Sequence, residues 1–131
     1  MRKIISRLLK EDKFFKYFAW VATILVIYLS IKPPSPDSKS WNFLFFRGDL
    51  ILHFVCYFGL SIIYFLSFNK LQRAAIKSLI LSSSLGIILE LVQLIPFFQR
   101  FFDINDIIAN FIGAATGILF IRFLFLYSAQ E

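Results

Sequence analysis

The chain has 131 residues, 59% of them hydrophobic, and a formal net charge of +6, with a mean hydropathy of +0.75. That length gives one domain, and the apolar share lies well above the roughly 45–50% of a soluble one. The single cysteine, Cys56, excludes an internal disulfide and a cysteine-based metal site, and basic residues crowded beside apolar runs argue against nucleic acid as a partner.

Residues 1–13 read as a basic amphipathic segment. Ile4, Ile5, Leu8 and Leu9 share one helical face among Arg2, Lys3, Arg7 and Lys10. Such a segment suits the membrane interface; a frayed basic tail is the plainer alternative. Residues 14–131 read as one domain. Apolar runs at about 14–31, 50–68, 74–97 and 104–127 each reach the roughly 17–25 residues that a span needs. The expected fold is therefore all-α, an integral membrane bundle of four transmembrane helices.

The first run is longer than a signal-peptide core of about 7–15 residues, and no small-x-small site follows it. It is read as a retained helix. The loop after it opens with KPPSP, which is stiff and cannot be helical. Trp41 and the FLFF run behind it suit an interfacial or re-entrant segment.

Arg2, Lys3, Arg7, Lys10, Lys13 and Lys16 flank the first run, and Lys70, Arg73 and Lys77 fill the second connector. The positive-inside rule then places both termini in the cytoplasm, N-in/C-in, in a multi-pass protein of the cytoplasmic (inner) membrane. The first and third loops are expected outside.

The last three helices each carry a polar stripe at helical spacing. The second has Asp49, His53, Tyr57 and Tyr64, with Ser61 at its edge. The third has Ser82, Gly86, Glu90 and Gln93, and the fourth has Asp103, Asp106, Asn110, Gly113 and Gly117. Under this topology the strongest polar groups fall at one depth near the outer surface, with Arg100 in the loop between. A charge in the bilayer costs at least about 2.5 kcal/mol unless paired or wetted. Stripes turned towards each other avoid that cost and form a polar pocket open to the outside. Its expected lining is Asp49, His53, Tyr57, Glu90, Gln93, Arg100, Asp103, Asp106 and Asn110. Gly86, Gly113 and Gly117 are assigned to helix packing, the last two as G-x-x-x-G.

Bland readings stand beside these. Asp103 and Asp106 can cap the fourth helix and meet its dipole, His53 can be a packing histidine, and the stripes can simply hold the bundle together.

The spacings D49-LIL-H53-FVC-Y57, E90-LV-Q93, R100 and D103-IN-D106-IIA-N110-FI-G113-AAT-G117 resemble the VanZ-like family of small bacterial membrane proteins. The likeness covers about the last two-thirds of the chain. Leu50 stands where the family usually has Lys. The resemblance implies a VanZ-like domain of the cell envelope and a link to glycopeptide resistance, because the member that names the family is associated with resistance to teicoplanin.

The leading expectation is a binding protein whose pocket takes a lipid headgroup, a cell-wall precursor or another amphiphile, with Arg100 pairing an anionic group. Membrane lipids and a lipid-linked or glycopeptide ligand are the expected partners. No nucleic acid and no cofactor is called for, and no metal ligands are assigned. Two alternatives remain. One is a membrane-embedded enzyme, with His53 and Asp49 as base, Glu90 as acid, or the carboxylates and His53 around a divalent cation. The other is a small transporter built on intramembrane Glu90.

Overall fold

The computed structural model describes residues 12–33, 42–43 and 46–129. The amphipathic segment at 1–13 falls almost wholly outside the described residues, as do most of the KPPSP stretch and Trp41.

Helix α1 runs Asp12–Ile31, α2 Gly48–Ser67, α3 Ala74–Val92 and α4 Ile104–Ala129. A two-residue antiparallel pairing, β1 (Asn42–Phe43) with β2 (Phe46–Arg47), leads into α2. Each helix contains a window long and apolar enough to cross a membrane: Lys13–Ile31, Gly48–Ser67, Ala74–Val92 and Ile104–Leu126. The helices alternate in direction, so the end of α1, the start of α2, the end of α3 and the start of α4 meet at one end of the bundle. We call this the polar end.

The core is formed where the helices cross. Tyr57, Leu60 and Tyr64 of α2, Leu89 of α3 and Ala114 of α4 are buried together, with Ala19 and Val26 of α1 against them. Phe15, Leu66 and Ile121 make a second cluster. Large apolar side chains such as Trp20, Ile24, Ile80, Ile88, Phe111 and Phe123 are exposed around the outside. In water that surface would be highly unfavourable; in lipid it is the expected coat.

Helices α2 and α4 pack most extensively, and the reason is the glycine pair on α4. A Cβ added to Gly113 would lie 2.3 Å from the Phe54 carbonyl oxygen, and one on Gly117 would lie 2.5 Å from that of Phe58. Only glycine permits this approach of two backbones.

The third span ends earlier than the apolar run suggests. Helix α3 stops at Val92, Ile95 is extended, and Pro96–Phe98 forms a 3-10 turn. A residue before proline is pushed out of the helical region, so Pro96 ends the helix although Leu94, Ile95 and Phe97 are apolar. Gln99 then takes a left-handed conformation, φ 51°, and reverses the chain towards α4.

Candidate functional site

The polar groups of three helices converge at the polar end. His53 stands one to two turns into α2, Glu90 lies in the last turn of α3, and Asp106 and Asn110 lie in the first two turns of α4. The His53 ring is held between them. Its Nδ1 lies 2.9 Å from Asn110 Oδ1 and 4.0 Å from Glu90 Oε1. Its Nε2 lies 3.5 Å from Asp106 Oδ2. An amide oxygen can only accept, so Nδ1 carries a proton and donates it to Asn110.

This cluster is enclosed. Glu90 is 1% exposed, Asn110 2% and Asp106 7%. Tyr57 is equally buried on the turn after His53. Gly86 makes room for the assembly: a Cβ there would meet the Asn110 side chain at 3.1 Å and the Tyr57 ring at 3.2 Å. Among the described residues, Glu90 Oε2, Asp106 Oδ1 and the Tyr57 hydroxyl have no hydrogen-bond partner. Buried polar atoms without partners are costly and uncommon; of the four among the described residues, Ser83 Oγ being the other, two belong to the carboxylates that flank His53.

A second layer lies nearer the mouth. Arg47, at the N-cap position of α2, holds two carboxylates: its guanidinium donates to Asp49, and Nη1 donates to Asp103 Oδ2 at 2.7 Å. Asp103 precedes α4 and caps it, accepting the backbone N–H of Asn105 at 2.9 Å. The capping reading therefore holds for Asp103, while Asp106 points at His53. The bonds from Arg47 and from Asn105 hold the Asp103 carboxyl below the usual carboxylate range. The same two carboxylates raise Arg47 above its ordinary value.

Arg100 and Gln93 reach the end of α1. Arg100 donates from Nε to the Lys32 carbonyl at 3.3 Å and from Nη2 to that of Leu29 at 3.4 Å. Gln93 donates to the Ser30 carbonyl at 3.3 Å. Helix C-termini leave such carbonyls unsatisfied. The guanidinium expected to clamp an anion is thus turned to α1. Tyr64 is also apart from the pocket; its hydroxyl meets Thr23 at 2.7 Å, deeper in the bundle.

Two crevices open beside the cluster. One has about 360 Å³ of free space, walled by Val26, Leu29, Leu52 and Cys56. The other, of about 290 Å³, is lined by Arg47, Gln93, Asp103 and Asp106. Asp49, His53 and Arg100 border both. Towards the opposite end the stripe of α3 turns inert: Ser78 and Ser82 donate at 2.7 Å to carbonyls of their own helix. They do not continue a polar path.

Sequence reasoning missed α1 as a contributor. Thr23 carried no recognisable signal within its apolar run, and backbone carbonyls leave none.

The fold and site define a class: a multi-pass helical membrane protein with a polar, carboxylate-rich site at one end of its bundle. The chain belongs to the VanZ/LLP1 family, whose model matches residues 6–126. No curated protein and no solved structure matches it.

Proposed function

We propose that this protein binds an amphiphile at the outer face of the cytoplasmic membrane. The head occupies the polar crevice and an apolar chain lies between α1 and α2. The observation that carries this reading is the shared border: Asp49, His53 and Arg100 join an apolar crevice to a polar one. An amphiphile has that same division. The outward direction rests on Lys70, Arg73 and Lys77, which lie at the opposite end of the bundle from the site.

The ligand class is a phospholipid or a lipid-linked cell-wall precursor. Arg47 is committed to Asp49 and Asp103, and Arg100 to α1, so the carboxylates accept from ammonium or hydroxyl donors of the head rather than meeting its phosphate. Tolerance of teicoplanin is the cellular phenotype that this reading offers for test.

Native mass spectrometry of the protein with added phosphatidylethanolamine and phosphatidylglycerol tests the reading. The expected result is one tightly retained lipid per chain, lost in Leu52→Trp, which fills the apolar crevice, and kept in Leu94→Trp on the exterior. Equal retention by all three proteins contradicts it.

A further inference from the structure

We propose that His53, Glu90 and Asp106 bind a divalent transition-metal ion of the Zn²⁺ or Mn²⁺ kind. One ligating atom from each can be chosen so that all lie within 4.8 Å of one another, the one such group of His, Cys, Asp and Glu among the described residues. The inference goes beyond the amphiphile reading and does not depend on it.

Because Nδ1 donates to Asn110, the neutral ring presents a lone pair at Nε2. The nearest polar atom recorded for Nε2 is a carboxylate oxygen, Asp106 Oδ2 at 3.5 Å. Two acceptors facing each other need a cation or a proton between them. Glu90 Oε2 and Asp106 Oδ1 are buried with no partner among the described residues. With both carboxylates ionised and the imidazole neutral, two negative charges stand at membrane depth, and a divalent ion cancels them.

The donor set selects the metal. One imidazole nitrogen with two carboxylate oxygens suits Zn²⁺ or Mn²⁺ better than Mg²⁺ or Ca²⁺, which prefer oxygen alone. Glu90 Oε1 lies 4.0 Å from Nδ1, the other ring nitrogen, so bond lengths of about 2.0–2.2 Å require Glu90 to swing towards Nε2 and Asp106 to draw in. Three protein ligands leave positions for water, and His53 and Asp106 border the polar crevice. Asn110 acts as a positioning residue: it accepts the ring's other N–H, as an outer-shell partner of a ligating histidine does.

The test uses the full chain purified in detergent, stripped with a chelator and titrated with ZnCl₂, MnCl₂ and MgCl₂. Calorimetry and elemental analysis are expected to give one Zn²⁺ per chain, Mn²⁺ binding more weakly and Mg²⁺ not at all. Glu90→Gln and Asp106→Asn, which keep the side-chain shapes, are each expected to weaken Zn²⁺ by more than about 100-fold, and Asn110→Ala by about 10–100-fold. Co²⁺ bound to the unsubstituted protein should give an intense visible spectrum. That measurement stands even if the variants fail to fold. Absence of a stoichiometric ion in the unsubstituted protein overturns the proposal and leaves a protonated His53 as the bridge. Undiminished binding in both carboxylate variants overturns it equally. Absence of a retained lipid on the unsubstituted protein, with metal binding intact, would remove only the amphiphile reading.

Discussion

His53 Nδ1 donates to Asn110 Oδ1 across the α2–α4 contact at 2.9 Å, and this bond decides how the ring meets everything else. It sets the tautomer, aims Nε2 at Asp106 and ties the two most closely packed helices together at the polar end. Asn110→Ala removes the acceptor. The expected loss of stability is about 0.5–2 kcal/mol, in the range of hydrogen bonds within membrane bundles. Reversible unfolding in mixed micelles measures it. A change below about 0.2 kcal/mol would mean that the pair is incidental to the fold.

The packing glycines of α3 and α4 give a sharper contrast. Gly113→Ala forces a carbon to within 2.3 Å of the Phe54 carbonyl oxygen, which is backbone and cannot swing away. Gly86→Ala meets the Asn110 and Tyr57 side chains at 3.1–3.2 Å instead. We expect Gly113→Ala to cost about 1–3 kcal/mol or more and Gly86→Ala distinctly less. Thermal unfolding of both variants in one detergent ranks them, and the reverse order would contradict the packing described.

Arg47 and Asp103 set a pH dependence. The folded protein holds the Asp103 carboxyl below its ordinary value of 3.8, so the unfolded chain takes up a proton first as pH falls. Stability from this group is present above that ordinary value and is lost as pH drops through the lower, folded one. Asp103→Asn removes the contribution. The gap between Asp103→Asn and the unsubstituted protein should be full near pH 6 and narrow progressively as the pH falls below 3.8. Both partners are partly exposed, so the gap is modest and shrinks in high salt. Unfolding free energies across that range test this; a gap independent of pH would contradict it.

Arg100 is expected to matter for α1 before it matters for a ligand. Its two donors meet carbonyls at the end of that helix. Arg100→Ala should speed hydrogen exchange in the last turn of α1, at a cost below about 1 kcal/mol, while the α2–α4 amides keep their protection. Unchanged exchange in α1 would return Arg100 to the role of an anion clamp.

Much of this arrangement was legible in the residues. Apolar runs of spanning length located the four helices, and the spacing Asp49–His53–Tyr57 placed those side chains on one face. The cost of charge in lipid turned the stripes of α2, α3 and α4 towards one another. What could not be read has physical causes. Tyr64 continues the spacing of Tyr57, but seven residues are about 10 Å along a helix, and at that depth its neighbour is Thr23 on α1. Asp103 and Asp106 look alike in sequence. Their difference, a cap against a buried group facing histidine, follows from which residue begins α4. Arg100 and Gln93 reach carbonyls of α1, and a carbonyl acceptor has no sequence signature. The end of α3 at Val92 was blurred by apolar residues beyond it, although Pro96 held the signal.

The polar groups of α2, α3 and α4 meet at one end of the bundle, and cysteine accessibility decides whether that end is wetted from outside the cell. In a Cys56→Ser background, Asp49→Cys, Asp106→Cys and the lipid-facing control Ile88→Cys are treated in intact cells with a charged, membrane-impermeant methanethiosulfonate. Modification of Asp49→Cys and Asp106→Cys from outside, and none of Ile88→Cys, is expected. Modification of the two site positions only after the cytoplasmic face is opened, or at neither face, would contradict it.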